Sequence, residues 1–233
     1  MRENSQTPLP AYYDPTGLFN VHSVFPTIQG EGPFSGERAL FIRLHGCNLR
    51  CPGCDTEYTA QQTTVTASYM LRAARLHSVA DGGLIVVTGG EPLRQNIAPA
   101  VNQLLDAGYR VQIETNGVLE GPDELLWHHP HFTVVCSPKT KAISQRVYEQ
   151  AAAFKYVIQA GQVCKDDGLP LRALMHPAAP RVARPRPGTP VFVQPMDEAS
   201  PEANALNLAA AIRSAMDHGH RLQLQIHKIL NME

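Results

Sequence analysis

Short apolar runs recur along this chain, and helical patterns separate several of them. The runs are ALFIRL (39–44), LIVVT (84–88), YRVQIE (109–114), FTVVCS (132–137), FKYVIQ (154–159), PVFVQ (190–194) and RLQLQIH (221–227). Most are apolar at nearly every position rather than at alternate ones, as expected of strands covered on both faces. Between them, ASYMLRAARLHS (67–78) opens on a capping-type sequence, and APAVNQLLDAG (98–108) repeats Val101, Leu104 and Leu105 before stopping at Gly108. PEANALNLAAAIRSAMDHG (201–219) is the longest helical pattern and ends at Gly219. Strands that alternate with helices predict parallel β/α units. The fold class expected is α/β: a parallel β/α barrel, either partial and open with about six strands or closed.

A chain of 233 residues suits one large domain. Residues 18–233 are assigned to it, and the polar, proline-rich segment MRENSQTPLPAYYDPTG (1–17) reads as a flexible tail. The stretch 160–189, rich in Pro, Gly and Arg, reads as a surface excursion. A formal net charge of −1 argues against coating nucleic acid or an anionic membrane. The N-terminal stretch lacks the apolar run of a signal peptide, and no stretch has the length of a membrane span. A cytoplasmic location is therefore expected. Five cysteines are too few for a disulfide scaffold in a chain of this length, so metal or redox chemistry is the better use for them.

Polar or glycine-rich motifs follow most of the runs. HGCNLRCPGCDTEY (45–58) follows the first, TGGEP (88–92) the second, TNG (115–117) the third and SPK (137–139) the fourth. QPMD (194–197) follows the sixth, and HK (227–228) closes the last. In β/α barrels the loops at the C-terminal strand ends build the active site, so these motifs belong to one rim.

Cys47, Cys51 and Cys54 fall within eight residues, and no fourth cysteine follows nearby. Structural zinc takes four protein ligands, and His45 is too close to Cys47 to close a tetrahedron easily. A disulfide leaves one thiol over. A [4Fe–4S] cluster ligated through three irons, with the fourth iron open to a chelating molecule, fits the spacing best; zinc and incidental clustering stay open.

The C-x3-C-x2-C spacing resembles the radical S-adenosylmethionine superfamily, and GGEP resembles its glycine-rich segment. The stretch FPTIQGEGPFSGERALFIRLHGCNLRCPGCDT (25–56), with ETNG, SPK, QPMD and the closing LQIHKILN in order, resembles the 7-carboxy-7-deazaguanine synthase family. The likeness covers nearly the whole chain after residue 20. TIQGEG alone is shared with activases of anaerobic ribonucleotide reductase; CDT and the C-terminal HK-x-LN make the match specific.

The resemblance implies a radical-SAM-type partial barrel. It also implies ring contraction of 6-carboxy-5,6,7,8-tetrahydropterin to 7-carboxy-7-deazaguanine with loss of ammonia, in queuosine and 7-deazaguanine biosynthesis. The implied cofactors are a [4Fe–4S] cluster on Cys47, Cys51 and Cys54, S-adenosylmethionine, and Mg²⁺ at Thr56. S-adenosylmethionine would be lined by Gly53, Cys54, Asp55, Gly90, Ser137, Pro138, Lys139, Gln194, Pro195, Met196 and Asp197. The pterin would meet Ile28, Gln29, Gly30, Arg43, Thr88, His227 and Glu233. Arg43 lies between Ile42 and Leu44, so its charge needs a partner: the pterin carboxylate or an acidic residue. The alternative for Thr56 is a helix N-cap. A homodimer and a flavodoxin-like electron donor are also implied. This sequence departs from the family at Gly53, where many members carry an aromatic residue, at Glu233 in place of a proline, and in its longer N-terminal segment. The other functional classes are a radical activase acting on a glycine of a partner protein and a zinc-bearing binding module without catalysis.

Overall fold

The computed structural model describes residues 4–77, 82–173 and 178–232. Ser78, the last residue of the first helical pattern, lies outside them, as do part of the 160–189 stretch and Glu233.

The strands are β1 (Phe19–Ile28), β2 (Arg38–Leu44), β3 (Thr63–Val65), β4 (Leu84–Gly89), β5 (Arg110–Thr115), β6 (Phe132–Cys136), β7 (Ala151–Ile158), β8 (Val191–Pro195) and β9 (Arg221–Leu222). The helices are α1 (Ala67–Leu76), α2 (Ala98–Asp106), α3 (Gln145–Gln150), α4 (Pro201–His218) and α5 (Ile226–Ile229). One nine-stranded sheet runs β3-β1-β2-β4-β5-β6-β7-β8-β9. From β2 to β8 all neighbours are parallel, which gives the six-stranded parallel sheet expected, with β9 added in parallel at one edge.

The two faces of this sheet differ because side chains alternate along each strand. Leu40, Ile42, Leu44, Ile85, Val87, Val111, Ile113, Val134, Phe154 and Val193 form one core with Met70 and Ala74 of α1, Val101 and Leu104 of α2, and Ala211 of α4. The residues between them face the other way. There, Ala39, Leu84 and Val86 make a small apolar floor with Phe34 and Phe41. Further along the same strands this inner face turns polar: Arg43, Thr88, Gln112, Glu114, Lys155 and Gln194. The polar end is the end at which the rim motifs emerge.

Three features differ from the sequence reading. β1 was not anticipated; it is a ten-residue strand, antiparallel to β2 and to β3. Its Pro26 is tolerated because β3 pairs only with residues 19–21, leaving the later part of β1 an edge. The run 221–227 is a strand only at Arg221–Leu222; the chain then turns, and His227 and Lys228 lie on α5. Its L-Q-L-Q alternation turns Gln223 inward, where its side chain donates to Gln194. The segment read as a flexible tail is tied down: Leu9 N–H donates to Cys47 O (2.7 Å) and Tyr12 N–H to Arg94 O (2.8 Å).

Candidate active site

The cysteine loop leaves β2 and runs to β3 without regular secondary structure. Cys47 is buried, and Cys51 and Cys54 are half-buried. Pro52 and Gly53 sit at the middle of a tight turn closed by Cys54 N–H to Cys51 O (3.4 Å), and Gly53 has φ +66°. Glycine adopts that conformation without the penalty a side chain brings, which accounts locally for its presence where an aromatic residue was looked for.

The glycines of TGGEP act on this loop directly. A Cβ on Gly90 would stand 2.1 Å from Gly46 O and 2.7 Å from Cys47 Cβ. The close approach that requires glycine here is to the cysteine loop backbone. Glu91, fully buried, accepts from Leu93 N–H (3.0 Å), Thr115 Oγ1 (2.7 Å) and Asn116 N–H (2.8 Å). Burial pushes its carboxyl up to about 7 against the pull of those donors. Asn116 Nδ2 in turn donates to Asn48 Oδ1 (2.7 Å), so TNG braces the cysteine loop.

Burial pushes the Cys47 thiol up to about 12 and that of Cys51 to about 11; the Lys139 ammonium opposes the shift at Cys51. Lys139 donates to Ser137 Oγ (2.7 Å), so SPK presents a cation toward the thiols, with Pro138 buried behind it. A single zinc ion, with Zn–S near 2.3 Å, draws its sulfurs to within about 4 Å of one another. A structural zinc also takes four protein ligands, and the loop supplies three thiolates. A four-iron cluster takes each thiolate on a separate iron, which the three-cysteine loop suits better.

Beneath the rim, the inner face carries a connected polar network. Gln29 Nε2 (3.1 Å) and Gln112 Nε2 (3.2 Å) donate to Glu114 Oε1, and Thr88 Oγ1 donates to Glu114 Oε2 (3.2 Å). Lys155 pairs closely with Glu31 and lies 4.0 Å from Glu114. Burial raises the Glu31 carboxyl, but the Lys155 charge and the hydrogen bonds from Lys155 and Gln225 together hold Glu31 below its ordinary value. Gln225 Nε2 donates to Glu31 Oε1 (2.7 Å), as does Gln194 Nε2 (3.3 Å). Arg43 stacks its guanidinium 5.0 Å from the centre of the Phe25 ring. The His227 ring lies so close to Gly30 that a Cβ there would stand 2.1 Å from Nδ1. Ile28 is half-buried at the end of β1.

Rim and interior meet at Asp55. Lys228 Nζ donates to Asp55 Oδ2 (2.8 Å) and lies 3.6 Å from Asp197 Oδ2. Burial would raise the Asp55 carboxyl, but Lys228 holds it down at about 2. Pro195 ends β8, and Met196 is buried beside the exposed Asp197. Thr56 Oγ1 lies 3.4 Å from Asp55 Oδ1, and no helix starts there; the next begins at Ala67, which removes the N-cap alternative. Glu233 lies outside the described residues.

Glu31, Glu114, Lys155, Gln112, Gln223 and Gln225 escaped the sequence reading. For Glu114 and Lys155 the signal was available: each is a charge inside an apolar strand, the feature that singled out Arg43.

The Radical SAM superfamily profile matches residues 41–139, which span the cysteine loop, TGGEP and SPK. The chain is 44% identical over 224 residues to the 7-carboxy-7-deazaguanine synthase of Rhodospirillum rubrum, covering 91% of this chain and 92% of that one. It belongs to the 7-carboxy-7-deazaguanine synthase family. The family's enzyme from Rickettsia prowazekii is 36% identical, over 91% of this chain and 88% of its own. The crystal structure of QueE from Escherichia coli shares the fold, with a TM-score of 0.64 at 23% identity, covering 89% of this chain and 94% of that one. Membership of the radical S-adenosylmethionine superfamily implies a [4Fe–4S] cluster and S-adenosylmethionine, and the cysteine loop fits the cluster.

Proposed function

We propose that the chain contracts the ring of 6-carboxy-5,6,7,8-tetrahydropterin to give 7-carboxy-7-deazaguanine and ammonia. The observation that carries this reading is the grading of the inner face, which is apolar at its floor and polar directly beneath the cysteine rim. An activase that docks a partner protein has no use for such a lined interior; a small polar heterocycle does. When bound, the cluster and S-adenosylmethionine supply the carbon radical that removes a hydrogen atom from the substrate. The protein's own residues orient that hydrogen and keep water out.

Arg43 would grip the C6 carboxylate through two parallel hydrogen bonds, fixing the reacting carbon beneath the rim. Ile28, Gln29 and Gly30 would meet the polar edge of the pterin, with Thr88 and His227 beside them. Glu114 and the Lys155–Glu31 pair add acceptors and a donor matched to its ring nitrogens and exocyclic groups. Gly53, Cys54, Asp55, Gly90, Ser137, Pro138, Lys139 and Gln194–Asp197 would line S-adenosylmethionine. Mg²⁺ would take the Thr56 hydroxyl, an oxygen ligand suited to a hard cation. The chain would work as a cytosolic homodimer fed by a flavodoxin-like donor, without nucleic acid; among the described residues no helix is long and apolar enough to cross a membrane.

Anaerobic, reductively activated protein should turn over the free tetrahydropterin. Arg43→Lys keeps the charge and loses the fork, so turnover should fall more than tenfold, the scale of one charge-assisted hydrogen bond of about 1.5–3 kcal/mol. S-adenosylmethionine binding should persist. No turnover by the parent chain with its cluster intact would sink the reading.

A further inference from the structure

The N-terminal segment lies across the cysteine loop and bonds to its backbone at both ends. Asn4 Nδ2 donates to Cys51 O (3.0 Å), and Leu9 N–H donates to Cys47 O (2.7 Å). Gln6 behaves as a neighbouring strand would. Its Nε2 donates to Thr56 O (3.0 Å), while its Oε1 accepts from Tyr58 N–H (2.9 Å) and from Thr59 Oγ1 (3.3 Å). Arg94 anchors the segment from below, donating to Pro10 O (3.1 Å) and to His45 O (2.8 Å). Tyr13 closes it, its hydroxyl donating to Leu93 O (3.1 Å). The carbonyls of two of the three cysteines, and of the residue two beyond the third, are thus satisfied by residues 4–9.

Elsewhere the loop is held through its side chains, Asn48 by Asn116 and Asp55 by Lys228, whereas residues 4–9 hold its backbone carbonyls. Between residues 47 and 57 it forms no helix or strand, and its own turn rests on the 3.4 Å bond from Cys54 N–H to Cys51 O. Fixing the backbone of such a loop costs about 1–2 kcal/mol per residue. A loop ordered in advance does not charge that cost to cluster binding. Carbonyls drawn toward the N-terminal segment also leave backbone N–H groups free to face the sulfurs, as Leu49 N–H does toward Cys47 Sγ (3.4 Å). Hydrogen bonds to cluster sulfurs raise its reduction potential.

We propose that residues 4–9 form a splint that orders the cysteine loop for its cluster, with Asn4 and Gln6 as positioning residues. This rests on the cluster assignment to Cys47, Cys51 and Cys54. In the cluster-free chain, Asn4→Ala/Gln6→Ala should speed hydrogen exchange at residues 47–58 and leave the sheet unchanged. After reconstitution, the double variant should lose its brown chromophore to an iron chelator roughly thirtyfold faster than the parent, the factor for losing its four hydrogen bonds to the loop at the lower end of their ordinary net strength. Its midpoint potential should become more negative. Gln145→Ala, exposed on α3 and bonded to Glu149 rather than to the loop, is the control and should match the parent. Unchanged loop exchange together with unchanged chromophore loss overturns the splint. Exchange that rises across the whole sheet also overturns it, since the segment would then hold the domain and not the loop. A parent chain that takes up no iron defeats the cluster assignment instead, and the exchange arm still decides whether the loop is splinted.

Discussion

Glu31 and Glu91 are both buried carboxylates near the same rim, and they differ in what surrounds them. Glu91 meets two backbone N–H groups and a hydroxyl, and among the described residues no cation pairs with it. Burial wins, and its carboxyl rises to about 7. Glu31 meets the Lys155 ammonium and the Gln225 amide, and their combined pull wins over burial. The first arrangement is a brace, in which the acid ties together TGGEP, TNG and, through Asn116, the cysteine loop. The second is a charged interior, with groups that can be re-partnered by a polar ligand. Equal burial therefore does not mean equal charge, and the difference separates the part of the site that holds the loop from the part proposed to face substrate.

The largest effect should come from removing the cation of the second region. Lys155→Met leaves Glu31 and Glu114 buried together without their counter-charge. Urea unfolding of the cluster-free chain should show a loss of about 3–5 kcal/mol, and adding Glu31→Gln should restore part of it. A loss under about 1 kcal/mol would erase the contrast between the two acids.

Glu91 should show itself through pH. Its folded value of about 7 lies above the ordinary 4.5, so between those values the folded chain binds more protons than the unfolded one. Stability contributed by this group is complete below pH 4.5 and falls as pH rises toward 7, by up to about 3 kcal/mol. Glu91→Gln removes the titration. The stability difference between parent and variant should therefore slope across that window, and a flat difference would mean that Glu91 is ionised throughout, like Glu31.

The smallest effect should come where the two regions meet near solvent. Lys228 and Asp55 are both partly exposed, so Lys228→Gln should cost only about 0.2–1 kcal/mol. It should also let the Asp55 carboxyl rise from about 2 toward its ordinary value, visible by NMR titration. A loss as large as that of Lys155→Met would make this pair part of the buried network.

The parallel strands and the order of the rim motifs were legible because each signal is local: apolar runs for two-sided strands, thiols and glycines for the loops beyond them. β1 was missed because its pattern, FNVHSVFPTI, mixes polar residues and a proline that only an antiparallel edge position tolerates. The role of the N-terminal segment was illegible because backbone-to-side-chain bonds spanning about fifty positions leave no periodic trace; Asn4 and Gln6 look like any polar tail residues. The GG pair was legible as a glycine-rich segment, but its packing on the cysteine loop was not, because an approach between residues about forty positions apart leaves no local trace. Arg43 drew notice and Lys155 did not, although both are charges embedded in apolar strands.

The ends of the nine-stranded sheet have a consequence for how the protein behaves in company. A parallel sheet offers its outermost backbone groups to any other chain that arrives as a strand, which is a route to aggregation. Here one margin is capped in part by the three residues of β3, which cover residues 19–21 of the antiparallel β1, and the other ends in the two residues of β9. Beyond Leu222 the backbone turns into the interior and onto α5 rather than continuing as a free ladder. The two residues of β9 are too few to template a stranger, and the open part of β1, residues 22–28, carries Pro26, which cannot donate to an incoming strand and so blunts that margin.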